Sequence, residues 1–411
     1  MGVPDLPLGI YVHIPFCVRK CHYCDFVAGP APDEIRSAYV AALEAEIRAC
    51  ALAGALVRTV YFGGGTPSEL NGAALARIVA ALRDSFSFVA ADLPDARPCL
   101  PLPGSAFASP VEPPPPPPPL TATEWTIECN PGTVSEESLT AMHEMGFNRI
   151  SLGVQTFSDI QLQRLGRIHT AAEAAEAVQM ARRAGFTRLS VDLIFCLPDQ
   201  TLAEWQNDVE QALLLGPEHL SLYNLTIEPE TEFGRRHRAG CMQLPDDDLA
   251  ADMYEWVMDR LSEAGFALYE VSSFARPGEA SRHNSLYWRH EPYLGFGVGA
   301  SAYLHGMRWT HTRSMQAYLA TAARPGGPER AVEETLPPRA ACGEAIMLAL
   351  RTSAGADIAA LAARYGVDGE REFGATLRGL EQDGLLVRDG ARTALTRAGL
   401  LLANTVCSQF L

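Results

Sequence analysis

The 411-residue sequence predicts an α/β fold, an incomplete (β/α)6 barrel followed by a winged-helix-like module. Two patterns predict it. Short β-rich runs alternate with amphipathic helical stretches through the first half of the chain. The part from about Ala331 reads as three helices, the hairpin LLVRDGARTALT and a closing helix.

The strands fall at Gly9–Ile14, Thr59–Phe62, Trp125–Cys129, Arg149–Val154, Leu189–Phe195 and His219–Thr226. Between them lie helical stretches at Glu34–Ala51, Ala73–Arg83, Ser135–Met145, Ala171–Ala184 and Leu202–Leu215. Strand–helix alternation with short links implies parallel strands joined by crossover helices. Six such units leave a barrel incomplete and put its chemistry at the C-terminal strand ends. This barrel is assigned residues 1–230. The segment 88–123 interrupts it. That segment is rich in Pro, Ala and Ser and holds seven consecutive prolines, Pro113–Pro119. It is expected to be a disordered rim insertion with an extended polyproline run, a shape that SH3-like partners also bind. Residues 231–330 form an extension with a helix at Asp248–Glu263 and the stretch RHNSLYWRHEPYLGFGVGASAYLHG. Residues 331–411 carry no basic stripe, so the winged-helix-like domain is expected to be a lid or interaction module rather than a DNA reader.

Apolar residues make up 47% and charged residues 20%, as in soluble globular proteins. A net charge of −16 argues against a broad electrostatic grip on nucleic acid or anionic membrane. No apolar run approaches the ~20 residues needed to span a bilayer. The start, MGVPDLPLGIYVHIPFC, has no targeting character, so a cytoplasmic protein is expected. Of the ten cysteines, Cys17, Cys21 and Cys24 cluster, and the rest are scattered. That pattern reads as reduced thiols plus one ligand group, not a disulfide framework.

Cys17-x3-Cys21-x2-Cys24 follows directly on the first strand. Three thiolates on one loop can each bind an iron of a cubane cluster and leave the fourth iron open. The other reading is a zinc site of the three cysteines with His22. His22 lies between two of the cysteines, where it cannot easily point at the same metal. Beyond this loop, Gly63-Gly64-Gly65-Thr66-Pro67 follows a strand, where missing Cβ atoms let backbone come close to a ligand. Glu128 and Asp192 end later strands. Taken singly, such carboxylates often only cap a neighbouring helix.

With YVHIPFC, YFGGGTPSEL, IECNPGT, SLGVQTF, LGRIH, VDLIF and HNSLYW, the chain resembles the radical S-adenosylmethionine (SAM) superfamily. Within it, the likeness is to the oxygen-independent coproporphyrinogen III oxidases and their relatives, the radical SAM heme chaperones. It covers nearly the whole chain outside the Pro-rich insertion. The resemblance implies a radical SAM barrel with a [4Fe–4S] cluster on Cys17, Cys21 and Cys24. It implies SAM contacts from Tyr11, Tyr23, Gly64, Gly65, Thr66, Glu128, Gln155, Arg167 and Asp192. An arginine fork suits a carboxylate, and Asp192 matches the residue that binds ribose hydroxyls. No side chain is assigned as catalytic. SAM would chelate the open iron, and an electron from the reduced cluster would cleave its C–S bond.

Three features favour the chaperone branch. Cys24-Asp25-Phe26 stands where the oxidases carry a further cysteine two residues after the third ligand. Only 16 residues precede Cys17, where the oxidases carry a sizeable extension. His283-Asn284-Ser285-Leu286-Tyr287-Trp288 matches the HNxxYW signature of the chaperones. Heme is then expected as cargo, bound for an acceptor protein, with a separate electron donor. His283 would ligate its iron, with Tyr287 and Trp288 against the porphyrin. The alternatives are the decarboxylating oxidase, or a radical SAM enzyme with another substrate. The Gly-rich stretch Tyr293–Ser301 is expected either to approach a ligand or to turn tightly. One departure stands out: Cys196 occupies a position where the family has glycine, and its side chain is expected to crowd the adenosine pocket.

Overall fold

A computed structural model describes residues 7–89, 123–324 and 326–411. The polyproline run and the rest of segment 90–122 lie outside the described residues.

In chain order the first elements are β1 (Leu8–Ile14), α1 (Asp33–Arg48), β2 (Leu56–Gly64), α2 (Gly72–Ser85), β3 (Ser87–Phe88) and β4 (Glu124–Cys129). Next come α3 (Glu136–Glu144), β5 (Arg149–Gln155), α4 (Asp159–Leu165), α5 (Ala171–Arg183), β6 (Arg188–Phe195), α6 (Leu202–Leu214) and β7 (His219–Asn224). They are followed by α7 (Glu232–Arg238), α8 (Asp247–Glu263), β8 (Ala267–Glu270), β9 (Ser273–Ala275), α9 (Arg282–Trp288), β10 (Tyr293–Phe296), β11 (Ser301–Leu304) and β12 (Met307–His311). The chain ends with α10 (Met315–Thr321), β13 (Arg330–Thr335), α11 (Pro338–Leu350), β14 (Ala356–Asp357), α12 (Ile358–Tyr365), α13 (Gly369–Gln382), β15 (Leu386–Asp389), β16 (Arg392–Leu395), α14 (Arg397–Leu401) and α15 (Ala403–Ser408). Two compact units interleave along it. The first holds the described residues up to 257 together with 292–333, and the second holds 258–291 and 334–411.

The first unit has the expected barrel fold, an unclosed mixed sheet flanked by helices, and it takes in residues 292–333, which the sequence reading placed in a separate extension. Its strand order is β13-β12-β11-β10-β1-β2-β4-β5-β6-β7, with β3 beside β2. All six predicted strands are present, and they are parallel from β1 to β7. A further parallel strand, β10, joins the far side of β1, with Tyr293 opposite Gly9 and Phe296 opposite Val12. The Gly-rich stretch is therefore sheet and turn, packed against backbone. A Cβ on Gly295 would fall on the Ser301 carbonyl, and one on Gly297 (φ 105) on the Tyr39 hydroxyl.

Side-chain alternation explains both faces of the strands. On β1, Leu8, Ile10, Val12 and Ile14 are fully buried, and Tyr11 and His13 take the other face. On β4, Trp125, Ile127 and Cys129 share one face and Glu124, Thr126 and Glu128 the other. Ile150, Leu152 and Val154 of β5 alternate with Arg149 and Ser151. Parallel strands covered on both sides usually read as unbroken apolar runs. Here the alternation is apolar and polar, so the barrel interior is a polar layer. The helices close the outer side with apolar faces, such as Tyr39, Val40, Leu43 and Ile47 of α1 and Leu75, Ile78, Val79 and Leu82 of α2. Each fully buried aliphatic contributes roughly 1.5–3 kcal/mol. Capping boxes at Thr170/Glu173 and Thr201/Glu204 start α5 and α6.

The second unit contains the antiparallel pair β8–β9, α9 and the C-terminal module. In that module α11, α12 and α13 precede the β15–β16 hairpin, whose Asp389-Gly390 turn uses a left-handed glycine (φ 59). The small sheet has the order β14-β16-β15. This is the winged-helix-like arrangement. Among the described residues no helix is long and apolar enough to cross a membrane.

Candidate cluster and cofactor site

The cysteine loop leaves β1 and is pinned at its base by backbone. Cys17 N donates to the Gly29 carbonyl (3.1 Å), and Gly29 N donates to that of Pro15 (3.0 Å). Cys24 N closes a turn on the Cys21 carbonyl (3.3 Å). All three thiols are free and half-buried. Burial raises the pKa of Cys17 and Cys24, and the neighbouring sulfurs raise both further. Donors already face the sulfurs: Thr66 Oγ1 lies 3.5 Å from Cys17 Sγ, and an Arg167 terminal nitrogen lies 3.5 Å from Cys21 Sγ. His22 is engaged elsewhere. Its Nδ1 donates to the Arg164 carbonyl (2.8 Å), and its ring lies against Gly166 and Phe233. Among the described residues no three His, Cys, Asp or Glu side chains close on a single-ion site. A cubane needs no such convergence, because each thiolate takes a different iron.

The glycine loop seats against β1 and this cysteine loop. Gly65 N donates to the Ile14 carbonyl (2.8 Å) and Thr66 N to that of Phe16 (2.7 Å). Gly64 sits at φ 110, and a Cβ there would fall on the His13 ring. A Cβ on Gly65 would lie 2.7 Å from the Phe16 carbonyl oxygen. The glycines therefore let the loop nest against β1, the His13 ring and the start of the cysteine loop. His13 ties the layers together. Tyr11 Oη donates to its Nδ1 (3.0 Å), and its Nε2 donates to the Val27 carbonyl (2.9 Å).

The remaining residues come from β4, β5 and β6, from the loop after α4 and from the cysteine loop itself. Glu128 accepts from Tyr61 Oη (2.7 Å) and from Gly64 N (3.1 Å). Burial pushes its carboxyl up to about 7. Asp192 accepts from Ser151 Oγ at 2.8 and 3.0 Å and from Ser190 Oγ at 3.2 Å. Its pKa is also raised by burial, against the pull of these serines. Gln155 stands at φ 72, where the register of β5 against β6 shifts. The turn after it is held by Asp208 of α6, which accepts from Thr156 Oγ1 and Phe157 N, both at 2.7 Å. Arg167 donates to the Gly153 carbonyl (2.6 Å), and its buried Nε has no partner among the described residues. Tyr23 packs beside Leu165, Leu197 and Phe233.

These residues fit an absent group with three protein thiolates and one carboxylate-bearing ligand. The thiols are gathered on one loop, and a buried guanidinium nitrogen of Arg167 lacks an acceptor among the described residues. The sequence reading missed Tyr61, Ser151 and Asp208. Tyr61 carried a signal, since it sits opposite Tyr11 on the inward face. Asp208 is a polar residue on the apolar face of α6, among Trp205, Val209 and Ala212. The Cys196 departure has a backbone cost. Its φ is 59, a left-handed position where glycine is the unstrained choice. The thiol itself is buried and pushed up to about 12.

His283 lies in the second unit, on the short helix α9 capped by Ser281. It is 1% exposed. Its Nε2 lies 2.8 Å from Tyr287 Oη, and burial lowers its pKa to about 3. The imidazole is therefore neutral, as an iron ligand must be, but Nε2 is occupied. The buried Trp288 Nε1 has no partner among the described residues, and the Arg351 guanidinium lies 5.5 Å from its ring centroid.

Residues 11–212 match the Radical SAM superfamily and residues 336–402 the HemN C-terminal domain. Relatives named heme chaperone HemW include one from Lactococcus lactis, 34% identical over 98% of this chain and 97% of that one. The Bacillus subtilis relative is 34% identical over 98% of each chain, and the Escherichia coli relative 38% identical over 76% of each. Among solved structures, coproporphyrinogen III oxidase (HemN) from Escherichia coli superposes with a TM-score of 0.79 at 24% identity, over 98% of this chain and 90% of that one. That last likeness shows the fold.

Proposed function

The chain belongs to the radical SAM superfamily and, within it, to the heme chaperone HemW family, and on that footing we propose that it binds heme and passes it to an acceptor protein. The observation that carries this reading is likeness along 98% of the chain to relatives named heme chaperones. Cys24-Asp25-Phe26, which lacks the further cysteine of the oxidases, supports it.

In this reading Cys17, Cys21 and Cys24 hold a [4Fe–4S] cluster and leave one iron for SAM. Together the two groups supply one-electron cleavage chemistry when bound. The chain's own residues bind and orient. Arg167 offers its buried Nε, without a partner among the described residues, to a carboxylate. Glu128 accepts from a donor of SAM. Asp192, fixed by two serines, accepts from the ribose hydroxyls. The backbone of Gly64, Gly65 and Thr66 lies against the ligand, Gln155 reaches it from the turn after β5, and Tyr11 and Tyr23 wall the site. These residues are buried or half-buried, and a ligand seated on them would displace water from the layer. His283 ligates heme iron after its Nε2 leaves Tyr287. An electron donor, a heme acceptor and a cytoplasmic location complete the proposal.

Anaerobic reconstitution followed by hemin titration tests it. Wild type should develop a saturable heme spectrum with a single site per chain. His283→Ala should lose the ligand-field signature of an imidazole. Absence of saturable binding in wild type overturns the reading. Protoporphyrinogen formed from coproporphyrinogen III with SAM and a reductant would assign the oxidase activity instead.

A further inference from the structure

The carboxylate of Glu128 is gripped from both sides before any ligand arrives. Tyr61 Oη donates to one oxygen (2.7 Å) and the Gly64 amide to the other (3.1 Å). The titratable groups that face it are Tyr11 from β1, Tyr61 from β2 and Asp192 from β6. None of these is a cation, so hydrogen bonds rather than an ion pair hold the carboxylate in place.

Tyr61 is itself immobilised. Its ring stacks on Tyr11 with centroids 6.2 Å apart and planes at 26°. Tyr11 is anchored through its hydroxyl to His13. The first glycine of the loop makes room for the pair. A Cβ on Gly63 would lie 2.9 Å from the Tyr61 ring and 3.0 Å from the Glu128 carboxylate. Gly63 thus serves the Tyr61–Glu128 contact, whereas Gly64 and Gly65 serve the nesting of the loop.

We propose that Tyr61 is a positioning residue for SAM: with the Gly64 amide it clamps the Glu128 carboxylate so that the remaining lone pairs face the ligand. This rests on the reading that SAM binds here. Two donors occupy part of a carboxylate that can accept about four hydrogen bonds, which leaves capacity for a ligand donor. Donation to the charged form favours ionisation. Removing the hydroxyl therefore raises the Glu128 pKa, and SAM affinity needs a higher pH to develop.

The test is equilibrium binding of SAM to the anaerobically reconstituted full chain between about pH 6 and 8.5, with iron and sulfide content as the folding control. In wild type, affinity should fall as pH falls through the Glu128 titration. Tyr61→Phe should shift that midpoint upward by about one pH unit, weaken binding several-fold near pH 7 and approach wild type at the alkaline end. Glu128→Gln should flatten the profile, and adding Tyr61→Phe to it should cost little more. An unmoved midpoint, an equal loss at every pH, or no coupling to Glu128 overturns the role of Tyr61. Cluster-loaded wild type that binds no SAM at any pH overturns both this role and the SAM site itself.

Discussion

Cys196 holds a left-handed backbone (φ 59) at the turn after β6. For a residue with a Cβ that conformation costs roughly 1–2 kcal/mol. Cys196→Gly should therefore be more stable than Cys196→Ala by about 1 kcal/mol, the reverse of the usual order. Denaturant midpoints of the two variants check this. If Ala is the more stable, backbone strain is not why glycine suits the site. Gly64 shows the same physics from the other side. At φ 110 and against the His13 ring it has no room for any side chain. At Gly64 the residue follows from the backbone conformation, whereas at Cys196 it goes against it.

At the level of elements, the turn from β5 into α4 shows how a helix positions a binding residue. Asp208 is 2% exposed on α6 and caps the Thr156 hydroxyl and the Phe157 amide. It thereby holds the turn that follows Gln155. Asp208→Ala leaves a donor pair without acceptors and should cost about 2–3 kcal/mol of stability. Urea unfolding measures the loss, and a cost below about 0.5 kcal/mol would show that the turn holds without it. SAM affinity should fall in the same variant, because Gln155 loses its support. A second juncture is β10 against β1. There Gly297 N donates to Glu46 (3.0 Å), and Tyr39 donates to the His13 carbonyl (2.6 Å). A strand from residue 293 onward thus braces the strand that carries the cysteine loop.

Across the first unit, buried ionisable groups set a pH profile. Burial pushes Glu46 up to about 8 despite hydrogen bonds from Tyr318 and Gly297. An unfolded glutamate titrates near ~4.3, so between these values the folded state holds a proton that the unfolded state has lost. Stability therefore falls as pH rises through this window. Glu46→Gln should remove that fall, a relative gain of roughly 2–4 kcal/mol by pH 8. Melting temperatures at pH 5.5 and 8 decide it, and parallel curves for variant and wild type would refute it. His169 and His311, lowered to about 4 mainly by burial, act in the opposite direction. They stay neutral when folded, so they subtract stability as pH falls below ~6.5, where the unfolded chain takes up protons.

Local signals in the chain were enough for the six parallel strands, the crossover helices, the three-cysteine loop and the glycine loop. Alternation and spacing are properties of short segments. Glu128 and Gln155 likewise fall at the C-terminal ends of β4 and β5, whereas Asp192 lies mid-strand on β6 and Arg167 in the loop after α4. Contacts between distant segments left no such trace. The pairing of β10 with β1 joins Gly9 to Tyr293, across more than half of the chain, and no local pattern shows that Gly295 packs on Ser301 or that Gly297, in its turn, packs on Tyr39. Side-chain partners divide the same way. That His22 points away from the cysteines, and that His283 and Tyr287 stand i, i+4 on α9, are local features. The Arg164 carbonyl that receives His22 and the Glu128 carboxylate that Tyr61 grips come from distant segments, and only the packing of one backbone beside another brings them there.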